Sequence, residues 1–300
     1  MPRYVGRKLG LARGALVSVA VGALVVGSCV SCSTPSTSSG DVALGEVSID
    51  AYGDVTAVLD FEAGTARLPL DAVALESPEV YARDFHALWV LIDECMVTNG
   101  FPAVSSTVDW SADTGGEDRR FGQWSVSLAS TYGPDLPPGG KSPLVDTLEL
   151  GSDYNAELPS CMDAAKQERA QRTTGEQVPM DRPPGIDRQI ISASYEAALS
   201  SEAGKNAVAR RVECLETQGI VVNPDSGAPS SDYYSDDRTA ITTAVAEAEC
   251  NVETGAVQEL FDLMARYQAA YMDQHEALIV ELAAQRKELI SQLDEIILGQ

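Results

Sequence analysis

The sequence predicts a mainly α protein: a disulfide-stapled helical domain built on two related Cys-containing helical units, with an irregular, loop-rich central segment and a long C-terminal helix. One phrase occurs twice, as Glu94-Cys95-Met96-Val97-Thr98-Asn99-Gly100-Phe101 and as Glu213-Cys214-Leu215-Glu216-Thr217-Gln218-Gly219-Ile220. Beyond the N-terminal segment each phrase Cys is followed by one further Cys, Cys161 and Cys250. Ala256 to Leu298 carries apolar residues at three- and four-residue steps and is almost free of helix breakers. In both copies of the phrase Glu, Cys, Thr and Gly match. Each copy reads as a helix end, where Gly supplies the left-handed residue and the next apolar side chain folds back on the last turn.

At the N-terminus, Arg3, Arg7, Lys8 and Arg13 precede an apolar run from Ala15 to Val26, and no Asp or Glu occurs before Asp41. That is the pattern of an export signal. The run is shorter than the roughly 20 apolar residues of a membrane span. Val26-Gly27-Ser28-Cys29 resembles a lipobox, which makes Cys29 the lipidated residue of a bacterial lipoprotein; Cys32 is the weaker candidate, and an uncleaved anchor or ordinary signal peptide is the rival reading. The Ser/Thr/Gly-rich stretch after it has the composition of a tether. The expected organisation is therefore signal peptide 1–28, lipidated tether 29–45, a first helical unit 46–178 with a loop-rich insert, and a second unit 179–300 with the long helix, the two units forming one globular body. The expected place is the outer face of the cytoplasmic membrane, with secretion as the alternative.

The formal net charge is −24, and cleavage before Cys29 removes basic residues only. Such a chain repels nucleic acid and anionic headgroups, so the lipid must do the anchoring. Four cysteines in an exported body read as two disulfides. Three connectivities are open, and the repeat favours Cys95 with Cys161 and Cys214 with Cys250. A zinc site lacks ligands: no C-x-x-C occurs and only His86 and His275 are present. No metal and no cofactor is expected.

Along the chain, Val55 to Phe61 and Thr65 to Leu70 could pair as a hairpin across Glu62-Ala63-Gly64. Ser77-Pro78-Glu79 opens a helix in the order cap, Pro, acid, and Phe85, Leu88, Trp89, Ile92 and Met96 mark its buried face. Between Pro102 and Pro159 the distinctive island is Arg119-Arg120-Phe121-Gly122-Gln123-Trp124. Two Arg in so acidic a chain are anion-binding candidates. The plainer reading, which is favoured, pairs them with the chain's own carboxylates while Phe121 and Trp124 fill the core. Gly140-Lys141-Ser142 is no phosphate loop, because Asp135 occupies the first Gly position and Pro143 follows.

Ser160 reads as the cap of a helix carrying Cys161, Asp187 as the start of another with Ile190, Ile191, Tyr195 and Leu199, and Ser201 as its restart toward Leu215. Asp232, Asp236 and Asp237 lack the Gly and closing Glu of a calcium loop, and Ser235 as a cap explains the acids better. Ala256 to Leu298, as one helix, would span about 65 Å. Its second half is expected to protrude, with Leu278, Leu282, Leu289 and Leu293 as candidates for contact with a protein partner or a second copy. His275-Glu276 begins a zinc-protease pattern, but Ile279 stands at the second His position.

Several of these stretches, namely Leu68-Pro69-Leu70-Asp71, Arg119-Arg120-Phe121-Gly122 with Trp124, Tyr132-Gly133, Ala246-Glu247-Ala248-Glu249-Cys250-Asn251 and Tyr267-Gln268-Ala269-Ala270, together with the two Cys phrases, resemble a family of actinobacterial secreted proteins and lipoproteins of uncharacterised activity. Leu215 and Ile220 stand where that family more usually carries Met and an aromatic. The resemblance implies the compartment and the disulfides, and no activity. No complete catalytic constellation is present, so no catalytic residue is assigned. The expected role is a non-enzymatic binding or interaction module at the cell envelope, with a hydrolase using a carboxylate pair as the alternative.

Overall fold

The computed structural model describes residues 44–110, 117–135, 150–173, 185–223, 226–234 and 236–299, and residues 39–300 form one compact unit. Residues 1–43, which hold the expected signal peptide, Cys29 and all but the end of the expected tether, lie outside the described residues. A short antiparallel hairpin comes first, β1 Val58–Asp60 with β2 Thr65–Arg67, in register Leu59 opposite Ala66. Its turn is shaped by the Asp60 carboxylate, which accepts from Glu62 N and Ala63 N at 3.0 Å each. The strands are shorter than the sequence predicts. Ala57 N donates to Asp262 Oδ1 instead of a strand (2.9 Å), and Pro69 has no N–H to extend the ladder.

Eight α-helices follow among the described residues: α1 Pro78–Thr98, α2 Val126–Tyr132, α3 Ser152–Arg172, α4 Ile186–Ser200, α5 Glu202–Thr217, α6 Asp237–Glu253, α7 Ala256–Gln274 and α8 Glu276–Leu298. Ser77 caps α1 by accepting from Val80 N, and Ser201 caps α5 by accepting from Gly204 N, as their positions in sequence predict. For α6 the cap is Asp236, not Ser235; its carboxylate accepts from Thr239 N, which accounts for the acid without a metal.

The two phrases end α1 and α5 identically. Gly100 and Gly219 adopt φ of 87° and 79°. Phe101 N reaches back to Met96 O and Ile220 N to Leu215 O, while the Gly N–H groups bond Val97 O and Glu216 O. This is the Schellman arrangement. The residue before each Gly, Asn99 or Gln218, points its amide at the disulfide sulfurs, 3.6 Å from Cys161 Sγ and 3.4 Å from Cys250 Sγ. Both expected disulfides are formed, Cys95–Cys161 and Cys214–Cys250.

Two predicted elements differ. The helix carrying Cys161 begins at Ser152, not Ser160, and holds Pro159 inside it. Buried Tyr154, together with Phe101 in edge contact 5.7 Å away, docks that first part of α3 on the end of α1, and packing outweighs the missing Pro N–H. The long terminal helix is broken at His275 (φ −118°, ψ 31°), although no Gly or Pro stands there. The physical reason is that the two halves pack on different partners. α7 lies against α4 and α5 and contributes Leu260, Phe261 and Met264 to the core, whereas α8 lies along α1.

The consequence is a correction. Leu282 and Leu293 are buried, and Leu293 and Ile296 share a cluster with Val90, Ile92 and Met96 of α1. Leu289 packs against the same cluster, and Leu278 is half-buried. The second half of the terminal segment does not protrude as a partner-binding stripe; it closes the first unit. The two expected units, 46–178 and 179–300, lie in this one compact body, and α8 of the second packs on α1 of the first. None of the helices among the described residues is long and apolar enough to cross a membrane.

Candidate functional site

The Arg119–Trp124 island is a loop held from three sides. Phe121 and Trp124 are buried against Phe261, with ring centroids 4.8 and 5.7 Å away. From α5, Arg211 donates to Phe121 O at 2.7 Å; from α6, Asn251 donates to Gln123 O at 2.7 Å. Glu247, one helical turn before Asn251, is buried beside Arg211. Gly122 (φ +88°) is required here, because a Cβ would fall on Glu247 Oε1 and within 3.2 Å of Arg211 Nη1. Burial pushes the Glu247 carboxyl above the usual range, and the Arg211 guanidinium opposes that shift. Nearby, Leu70 N donates to Gln268 Oε1 at 3.1 Å. Leu68 shares a buried cluster with Phe121 and Trp124, so stretches scattered through the sequence meet around this loop.

The two adjacent arginines have different fates. Arg119 bonds Glu117 Oε2 through Nε at 2.7 Å, and its Nη groups meet Pro134 O, Asp135 O and Glu117. Gln123, with its amide turned to satisfy both neighbours, accepts from Arg119 Nη1 and donates to Glu117 Oε1, 3.0 Å each. All five N–H donors of Arg119 are used within the protein. Arg120 pairs with Asp118 through Nε (2.9 Å) and Nη2, lies over the Phe261 ring at 5.7 Å, and keeps donors on both Nη atoms. Of the two anion-binding candidates only Arg120 has donors left to give.

Arg120 faces a cleft of about 1500 Å³ between the start of α1, the end of α8 and the 117–120 loop. The cleft also receives Arg67, Arg83 and Arg286, and a recess of about 610 Å³ sharing Arg119 and Arg120 adds Arg188. Each of these is matched by an acid except Arg67. Arg83 bonds Glu79 (2.9 Å) and Asp294 (3.2 Å), Arg286 bonds Glu79, and Arg188 bonds Glu76. Arg67 is exposed and has no ion-pair partner among the described residues. The Nε of Arg286 is shielded from solvent without an acceptor, a donor whose desolvation costs about 1–3 kcal/mol unless something accepts from it.

One wall is aromatic. The rings of His86 and Trp110 stack with centroids 4.3 Å apart and planes 8° apart, and both line the cleft. Trp110 is held by its indole N–H, which donates to Ser105 O at 2.7 Å; Asp93, buried in α1, fixes that turn by accepting from Val104 N and Ser105 N. Burial holds the His86 imidazole below its usual pKa, so the ring is neutral at pH 7. Asp71 also lines the cleft. Burial raises its carboxyl and the charge of Asp118 adds to that, but its Oδ2 accepts from Leu68 N at 2.7 Å.

The four disulfide cysteines pair as the sequence predicts, and Arg119 and Arg120 pair with the chain's own carboxylates beside buried Phe121 and Trp124, as the favoured reading has it; sequence reasoning missed Arg83, Arg286, Glu79 and the Trp110–His86 pair. The spacing of Glu79 and Arg83, four apart on one helix, was a signal for their pairing. Nothing local announces Arg286, which reaches Glu79 from the far end of the chain. No family model, curated protein or solved structure matches this chain.

Proposed function

We propose that this is a lipid-anchored, extracytoplasmic binding protein, tethered through Cys29 at the outer face of the cytoplasmic membrane, and that the cleft beside Arg120 is its recognition site. Two disulfides in one body support an oxidising compartment. The observation that carries the binding reading is the state of the cleft's acids. Glu76, Glu79, Glu117, Asp118 and Asp294 are each ion-paired to an Arg, and Asp71 is bonded to backbone. Groups so engaged orient a ligand; a general base has to be free to take a proton. Asp71, raised by burial with Asp118 as neighbour, is the one feature that favours the hydrolase alternative.

The test is photo-cross-linking in cells expressing the full chain. A diazirine side chain at Ala82, which lines the cleft, should capture one saturable species, and the same group at exposed Val280 on α8 should not. Equal capture at both positions, or none at Ala82, removes the cleft as the site. Cys29→Ser should release the protein from the membrane fraction and abolish incorporation of a labelled fatty acid; continued labelling would move the anchor elsewhere.

A further inference from the structure

We infer that the cleft binds a chain of sugar rings, which rests on its being the recognition site proposed above. The stacked rings of Trp110 and His86, both half-buried, line one wall of the cleft. An aromatic face of that kind takes the apolar C–H face of a ring ligand. Around it, the guanidinium groups of Arg83, Arg120 and Arg286 stand beside the carboxylates that pair with them. Each such pair offers N–H donors and oxygen acceptors within one reach. A sugar hydroxyl is both donor and acceptor, so a run of hydroxyls finds matching partners.

The same charge balance disfavours other ligands. A phosphate or an acidic peptide brings concentrated negative charge and would meet the carboxylates of Glu79, Asp118 and Asp294 at the site and an overall charge of −24 beyond it. The cleft, about 1500 Å³, exceeds the roughly 300–1,000 Å³ of sites built for one small molecule, which fits an extended ligand. Arg67, exposed on the lining and unmatched by an acid among the described residues, is the place for a single carboxylate on that chain.

The experiment uses the full-length lipidated protein in detergent, with Trp fluorescence and calorimetry as readouts. The probes are a neutral oligosaccharide of several rings, its analogue carrying carboxylated sugars, inorganic phosphate and an oligoglutamate peptide. Trp110 is the one tryptophan that lines the cleft, since Trp89 and Trp124 are buried, so saccharide binding should change its emission. Trp110→Ala should weaken the saccharides about tenfold or more. Ala82→Trp, which fills the cleft from its wall and removes no core contact, should abolish binding with both disulfides and the helical circular dichroism intact. Arg67→Ala should weaken the carboxylated probe alone.

Saccharide binding that survives Ala82→Trp, or preference for phosphate or the peptide, overturns the inference. If sugars fail while the Ala82 cross-link captures a polypeptide, the ligand class is wrong and the cleft stands. If neither binds, both readings fall.

Discussion

The two cysteine-bearing units end their helices alike and put their interiors to different use. After Cys95 and after Cys214 the chain makes the same Schellman turn, closes on the same kind of disulfide and aims an amide at the sulfurs. Around α1 the interior is apolar but for Asp93, which is bonded to backbone, and is sealed by Leu293 and Ile296 of α8, while its outer side presents Glu79, Arg83 and His86 to the cleft. Around α5 and α6 the interior holds buried polar groups, Arg211, Glu247 and Asn251, all directed at one loop. A shared helix-end phrase supplies the frame, and residues outside the phrase decide whether the unit makes a wall or a clamp.

That comparison can be broken most severely at the disulfides. Replacing Cys95 and Cys161 by Ser, or Cys214 and Cys250 by Ser, should each cost up to about 4 kcal/mol on the loop-entropy argument. The first pair should cost slightly more because it closes 66 residues against 36. Urea unfolding measures both, and a large effect at only one pair would deny the units equal structural weight.

Next in size come the two interiors. Arg211→Ala should cost about 1–3 kcal/mol by leaving the buried Phe121 O without its donor, and it removes the positive charge that opposes the raised Glu247 carboxyl. Leu293→Ala should cost about 2–3 kcal/mol as a cavity in the apolar interior, with half-buried Leu278→Ala well below it. If Leu293→Ala left stability unchanged and removed an interaction instead, the terminal helix would be a docking surface after all. Only the Arg211 variant should carry a change in pH dependence.

The smallest expected effect is that pH dependence itself. Burial raises Glu247 in the second unit, and Asp71 and Asp84 near the first, above ordinary carboxyl values. In the window between ordinary and raised values the folded protein binds more protons than the unfolded chain. Stability from these groups is therefore fully present below the ordinary carboxyl range and is lost as pH rises through the raised values. Asp236, an exposed cap held low by Thr239, runs the other way. Thermal unfolding should give a higher Tm near pH 5.5 than near pH 7.5, and Glu247→Gln should flatten that difference. A Tm that falls on acidification would show that the raised carboxyls do not govern it.

Much of the fold was legible because the chemistry is local. Ser77-Pro78-Glu79, Ser201 and the two Gly-containing phrases state where helices start and stop with groups a few residues apart. The disulfide pairing followed from the repeat. Pro159 inside α3 and the break at His275 were not legible, since in both places packing against distant helices outweighs local preference. The candidate site was half legible. An Arg pair in an acidic chain draws notice, but whether a guanidinium is already occupied depends on Pro134, Asp135 and Gln123 for Arg119, and on Asp118 for Arg120.

By itself, then, the sequence determined the helical class, the staples and the helix ends, because each depends on residue type at short spacing. Tertiary structure alone decided that the terminal leucines close the core and that Glu79, Arg83, Trp110, Arg120 and Arg286 meet in one cleft. The physical reason is that burial and charge pairing are set by neighbours up to 211 residues away, as between Arg83 and Asp294, and no local pattern encodes which neighbours those are.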